Sequence, residues 1–346
     1  MSDTGLTKMA TSAHGRNRQV KVARRAVGVP GPEVFELADA AAPACHEGGV
    51  LAEVLFASVD PGMRGWLSAE TNYMTVPDGA VMRAQGVARI LESRAPGWAE
   101  GDLVYGWFGW QQYAAVQVED LLWKIDPKVA PPEAWLGELG LNGLTAWVGF
   151  HHLASPKAGE TVVVSTAAGA VGSVVGQLAR AAGLRCVGLT SSSAKAQVAL
   201  AEFGYDAMID YKTAEDLQAS VARACPNGVD IFFDNTAGSI ADAVFPHLNQ
   251  NARVVQCGTA SVSNWLSTPT GPRRERDMIV KRLRWQGFIV FDHVEVFPDA
   301  FEALKALYRT GGLSGRHEIL AGLEHAPTAL KRLYEGENLG RLMIRP

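Results

Sequence analysis

Hydrophobic positions along the chain fall into two regimes. From about Arg18 to Gln117 they come as short alternating runs broken by Gly and Pro: GGVLAEVLFASVDP, AQGVARILES and GDLVYGWFGWQQYAAV. Alternation with frequent turn signals predicts a compact, barrel-like β domain. After Pro131-Pro132 the stretch LGELGLNGLTAWVGFHHL has helical spacing and predicts a helical linker. Beyond it the apolar runs become continuous, as in strands buried on both faces: TVVVS, RCVGLT, DAMIDY, VDIFFDN, ARVVQCG and RWQGFIV, with amphipathic helices between most of them. Six strands joined by crossover helices predict a doubly wound parallel sheet, whose ligand crevice lies at the carboxyl ends of the strands. The tail predicts helices at about Pro298 to Thr310 and Pro327 to Tyr334, then a last strand, RLMIRP, returning to the first domain.

The first of those strands carries the strongest chemical signal. Val162 to Ser165 run into a turn of small residues that opens directly into a helix pattern, Val171 to Ala182. The turn, Ala167 to Gly172, matches a dinucleotide-binding fingerprint with alanine in place of the first glycine. Ala168, Gly169, Ala170, Val171 and Gly172 would then cradle a pyrophosphate at the helix N-terminus. The end of the second strand chooses the nicotinamide cofactor. An NAD site places a carboxylate there for the ribose 2′-hydroxyl, whereas this chain has Thr190, Ser191, Ser192, Ser193, Ala194 and Lys195. Hydroxyls and an ammonium suit a 2′-phosphate, so the expected cofactor is NADP (NADPH), held through Ser191 and Lys195. Asn235, Gly258 to Asn264 and Ile289 to Phe291 fall just past later strand ends and should line the same crevice.

Composition narrows the field. The 346 residues carry a net charge of −4 with 47% hydrophobic residues, which points to neither nucleic acid nor an anionic membrane surface as partner. No apolar run is long enough to span a bilayer, and residues 1–17 have no signal-peptide pattern, so a cytoplasmic protein with a polar N-terminal lead is expected. Cys45, Cys186, Cys225 and Cys257 are scattered, without CxxC or zinc spacing. Neither a metal centre nor a disulfide framework is expected. The pair His151-His152 has no third ligand within reach by spacing and is read as helix surface, and the basic run Arg273, Arg274, Arg276, Lys281, Arg282 and Arg284 as a solvated helix face.

The stretches VDPGMRGWLS, FGWQQYA, LGLNGLTAW, GETVVVSTAAGAVGSVVGQLA, FDNTAG, KRLRWQGFIVFD and YEGENLGRLMIRP, in this order, cover nearly the whole chain. In them the sequence resembles the zinc-independent medium-chain dehydrogenases/reductases, within them the NADPH-dependent alkenal/one oxidoreductases that include leukotriene B4 12-hydroxydehydrogenase, prostaglandin reductase and curcumin reductase. The resemblance implies an α/β protein with a GroES-like β-barrel domain (residues 18–135), a Rossmann domain (136–300) and a C-terminal return (301–346). It further implies a homodimer and hydride transfer from NADPH to the β-carbon of an α,β-unsaturated ketone or aldehyde. By position it assigns Lys195 and Tyr211 to the 2′-phosphate, and Asn235, Cys257, Gly258, Phe288, Ile289, Val290 and Asn338 to the ribose and nicotinamide side. It places Tyr73 facing substrate. Two departures stand out: Gly62 and Ser263 occupy positions where the family commonly has tyrosine, and Trp265 stands beside the second.

Conjugate reduction asks for geometry and charge stabilisation. The hydride donor must lie roughly 3 to 3.5 Å from the β-carbon, and a hydrogen-bond donor must meet the negative charge that develops on the carbonyl oxygen. Tyr73, in the irregular stretch after Gly62-Met63-Arg64-Gly65-Trp66, is the candidate donor. For Asp60 and Arg64 an internal ion pair or turn hydrogen bond competes with a ligand role. Two alternatives share the cofactor site: a quinone reductase, and an NADPH-binding protein of little activity.

Overall fold

The computed structural model describes residues 15–68, 73–261 and 269–346. Its N-terminal domain is built from β1 (Arg16–Val22), β2 (Phe35–Ala41), β3 (Gly49–Ser58), β4 (Gln85–Ser93), β5 (Leu103–Trp107), β6 (Tyr113–Gln117) and β7 (Leu121–Lys124), with the short helix α1 (Met63–Trp66) after β3. β1 and β2 form an antiparallel ribbon, and β3 to β7 form the main antiparallel sheet. Inward residues of these strands, among them Val50, Ala52, Val54, Ala88, Ile90 and Val104, close over Trp110 in one buried core.

The expected helical linker is broken into α2 (Pro132–Leu136), α3 (Leu141–Trp147) and a π-helical turn at Val148–Leu153. Gly137, with a backbone angle pair outside the helical region, separates the first two. The second domain then alternates β8 (Thr161–Ser165), α4 (Gly172–Ala181), β9 (Arg185–Thr190), α5 (Ser193–Glu202), β10 (Ala207–Asp210), α6 (Leu217–Ala224), β11 (Val229–Asp234), α7 (Gly238–Val244), β12 (Leu248–Gln256), α8 (Glu275–Lys281) and β13 (Arg284–Gly287). The six strands are all parallel, in the order β10-β9-β8-β11-β12-β13, so the chain starts in the middle and winds outward in both directions. Continuous apolar runs have the predicted cause. Val162 and Val164 face a core shared with α3, α4 and α9 (Phe297–Arg309), while Val163 between them faces the core under α6 and α7.

After α9 the chain forms β14 (His317–Ala321), which the sequence pattern did not announce, then α10 (Ala326–Glu335) and β15 (Arg341–Arg345). β15 pairs with β3, Met343 opposite Ser58, and β14 pairs parallel to β15, so the C-terminus completes the sheet of the first domain. The basic run is not a uniformly solvated face. Arg274 is mostly buried, bonds Asp242 at 2.6 Å and lies over the Phe245 ring, and Arg284 donates to the Leu153 carbonyl. Among the described residues no helix is long and apolar enough to cross a membrane.

Arg341 anchors the return. Its guanidinium is 4% exposed, pairs with Asp60 and donates to the Val59 carbonyl at 3.3 Å. Removing one partner of a buried pair leaves the other charge uncompensated, which costs about 3 to 5 kcal/mol. Arg341→Ala should lower unfolding free energy by that amount in urea titrations; a loss under about 1 kcal/mol would assign the ion pair no part in anchoring β15 to the first domain.

Candidate functional site

The carboxyl ends of the parallel strands carry nearly every residue that the sequence marks for the cofactor. The turn from Thr166 to Val171 follows β8, Ser191 follows β9, Tyr211 follows β10, Asn235 follows β11, Cys257 and Gly258 follow β12, and Phe288 to Val290 follow β13. A parallel sheet aligns these ends along one crevice.

The turn after β8 shows why alanine is tolerated at 167. The left-handed conformation falls one residue earlier, on Thr166 (φ 55°), so Ala167 needs no glycine freedom. The next constraint falls on Gly172, where a Cβ would sit 2.3 Å from the Thr166 carbonyl oxygen, so only glycine lets α4 start this close to the strand. The turn is also held from the other domain. The Gly340 amide donates to the Ala168 carbonyl at 3.0 Å, and Gly169 and Gly340 form a parallel bridge. Asn338 is buried against this connection, its side-chain amide donating to the Gly340 carbonyl at 3.0 Å.

Asn235 and Gly258 are set by a buried carboxylate. Asp234, fully buried at the end of β11, accepts from the Ser165 hydroxyl (2.9 Å), the Thr236 amide (2.8 Å) and hydroxyl (3.0 Å), the Ala237 amide (3.0 Å) and the Gln256 side chain (3.1 Å). Asn235 takes the remaining Ser165 groups, its amide and side chain each at 2.7 Å. Burial, with the Asp234 charge adding to it, pushes the Cys257 thiol up to about 12, so it stays protonated.

At the end of β9, Ser192 caps α5 by accepting from the Lys195 amide at 3.3 Å, which turns the Lys195 side chain toward Gly336 and places its ammonium 2.7 Å from that carbonyl. Burial lowers the Lys195 pKa, the neighbouring Lys212 lowers it further, and Glu318 opposes both. Tyr211 stands beside them, its phenol raised by burial and held by Ser191. The Lys195 ammonium and the Ser191 and Tyr211 hydroxyls form a half-buried donor set that a phosphate dianion would complete, with the charge of the exposed Lys212 acting on Lys195. Lys212 was missed in the sequence, although it directly follows Tyr211.

Phe288 turns inward onto the π-helical turn at Gly149, Val290 is buried, and Ile289 between them is 41% exposed. Facing this segment is an aromatic series from the first domain. Tyr73 meets Trp66 edge to face at 6.4 Å, Trp66 meets Trp107 at 5.9 Å, and Trp107 meets Phe291 at 6.3 Å. The Tyr73 hydroxyl lies 3.1 Å from where a Cβ on Gly62 would be. Desolvation raises its pKa, a hydrogen bond with Trp66 opposes the rise, and the charge of Asp60 adds to it. The phenol therefore remains a donor well above neutral pH.

Asp60 has a structural role through Arg341, and Arg64 is buried and donates to the Gly28 carbonyl at 2.9 Å, so the two do not pair with each other. Ser263, Trp265 and the neighbouring part of the Gly258 to Asn264 stretch lie outside the described residues. The four cysteines are free. From a distant part of the sequence the fold brings His293 and Glu295 near His152.

Comparison with known proteins agrees with this architecture. Residues 18–124 match a family model described as the N-terminal domain of oxidoreductase, and residues 170–306 one described as zinc-binding dehydrogenase. The chain is 37% identical to the NADPH-dependent curcumin reductase of Escherichia coli, over 95% of this chain and 97% of that one. It is 38% identical to the NADP(+)-dependent 2-alkenal reductase of Nicotiana tabacum, over 85% and 86%. The crystal structure of CurA from Vibrio vulnificus in complex with NADPH superposes with a TM-score of 0.88 at 35% identity, covering 95% of this chain and 98% of that one. The chain belongs to the medium-chain dehydrogenase/reductase family, in the NADP-dependent oxidoreductase branch that includes these curcumin and 2-alkenal reductases.

Proposed function

We propose that the protein reduces the C=C bond of α,β-unsaturated ketones and aldehydes, with NADPH as donor and Tyr73 as the group that meets the carbonyl oxygen. The single observation that carries the reading is the aromatic series from Tyr73 through Trp66 and Trp107 to Phe291, which joins a phenol of the first domain to the strand end that faces the cofactor crevice. NADPH supplies the hydride when bound. The chain's own groups position the partners and manage charge. The turn from Ala168 to Gly172 and the N-terminus of α4 receive the pyrophosphate, Lys195, Ser191 and Tyr211 receive the 2′-phosphate, and Asn235, Cys257, Gly258, Phe288, Ile289, Val290 and Asn338 border the ribose and nicotinamide. Trp66, Trp107 and Phe291 give an apolar wall on which a flat conjugated substrate lies. The Tyr73 hydroxyl donates to the carbonyl oxygen as negative charge builds there, and the proton for the α-carbon comes from the same phenol or from water.

The protein works in this reading as a cytoplasmic homodimer. Four free cysteines fit a reducing compartment. β13 is an edge strand, and next to it Ile279, Val280, Trp285 and Ile289 are exposed apolar residues, the features by which a second copy would extend the sheet.

The direct test follows nicotinamide absorbance with NADPH against linear enals, aryl enones, quinones and saturated ketones. Enones should be consumed with the saturated ketone as product, while activity confined to quinones would overturn the proposal. Tyr73→Phe should lower enone turnover by roughly 10- to 100-fold, the scale of one oxyanion or proton donor, and leave NADPH affinity within about twofold. Unchanged turnover would remove Tyr73 from the chemistry. Lys195→Ala should raise the NADPH KM roughly 10- to 100-fold, the worth of a charge-assisted hydrogen bond, with little effect on the NADH KM. Equal effects on both cofactors would place Lys195 away from the 2′-phosphate.

A further inference from the structure

We propose that His152, His293 and Glu295 form a zinc-binding site where the π-helical turn meets the segment that follows β13. One ring nitrogen from each histidine and one carboxylate oxygen of Glu295 all lie within 4.8 Å of one another. The two imidazoles meet edge to face at 5.3 Å, and His293 Nδ1 is 3.9 Å from the Glu295 carboxylate. Zinc bonds of about 2.0 to 2.2 Å in a tetrahedral set put neighbouring donors about 3.4 Å apart. Closing the present separations takes roughly 1 Å, a motion available to the exposed side chains of His152 and Glu295 through their own torsions.

The scaffold under the site is firm. His152 belongs to the π-helical turn, whose following residues accept from two arginines: Arg284 donates to the Leu153 carbonyl, and Arg253 Nε to the Ala154 carbonyl at 2.9 Å. His293 is the less exposed of the two histidines, its ring set 6.3 Å from Phe288, and it stands where the chain after β13 departs from helical geometry (φ −128°, ψ 33°). Two imidazoles and one carboxylate are the donor set of a three-ligand zinc site that leaves a fourth position to water, and imidazole favours zinc over magnesium or calcium. The residues matched by the family model whose description mentions zinc, 170–306, take in His293 and Glu295 but not His152. A bound ion would cross-link the linker turn to the segment that follows β13.

The test uses the full-length protein, stripped of metal and titrated with zinc against a chromophoric chelator. One equivalent should bind, and thermal unfolding should shift upward with zinc as expected for a ligand of the folded state. His293→Ala and His152→Ala should each weaken that binding roughly 10-fold or more, Glu295→Gln should weaken it by a smaller factor, and His325→Ala should leave it unchanged. Glu295→Gln alters only an exposed side chain and so reports on binding even if a histidine variant folds poorly. Zinc bound as tightly by Glu295→Gln and His293→Ala as by the wild type, or no zinc bound by the wild type, would overturn the site.

Discussion

The crevice depends on one buried charge. Asp234 ends the strand beside β8, and its carboxylate would cost several kcal/mol to bury alone. It is tolerated because donors from three strand ends converge on it: Ser165 closing β8, Thr236 and Ala237 after β11, and Gln256 closing β12. Charge-assisted bonds of this kind are stronger than neutral ones and directional. They hold Ala237 at a positive φ of 60°, a conformation that a residue with a Cβ adopts only when its surroundings require it. Asn235 and Gly258 inherit their positions from this arrangement, so the floor of the crevice is fixed before any ligand arrives.

The roof comes from the end of the chain. Residues between α10 and β15 touch the cofactor side twice, Gly336 at Lys195 and Gly340 at Ala168, and Asn338 braces Gly340 from within the connector. The next residue, Arg341, then locks into Asp60, at the start of the segment that leads to Tyr73. The Tyr334 hydroxyl reinforces the same junction by donating to the Pro61 carbonyl at 2.7 Å. This short connector joins the two domains at the cofactor crevice, alongside the linker of α2 and α3 and the Trp107–Phe291 contact.

Where the sequence was legible, burial on both sides of an element made it so. The central parallel strands, β8 and β11 above all, are buried on both faces and need apolar residues along nearly their whole length, and the turn after β8 needs small ones, so both stand out in a single chain. β14 lies at a sheet edge and has only half-buried residues, which leaves no comparable pattern. The proposed 2′-phosphate corner is half legible: the missing carboxylate and Lys195 are local signals, whereas the Gly336 carbonyl meets Lys195 only through tertiary packing. The same limit applies to His152, whose neighbours His293 and Glu295 come from beyond the whole nucleotide sheet. The partner of Asp60 was likewise out of reach, being Arg341 in the last strand and not the nearby Arg64.

Gly62 shows how one departure from a family pattern can be balanced by packing. A Cβ there would lie 3.1 Å from the Tyr73 hydroxyl and 3.7 Å from the Trp66 ring, so the space beyond residue 62 is already taken. A side chain at 62 would press on the Tyr73 hydroxyl, the tip of an exposed side chain, while the Trp66 ring stays at ordinary contact distance. The Tyr73 ring in turn packs edge to face on Trp66. Trp66 also contacts Trp107, and Trp107 contacts Phe291, so adjoining rings run from residue 62 to the segment that follows β13. The absence of a side chain at residue 62 thus leaves the proposed donor its place beside Trp66.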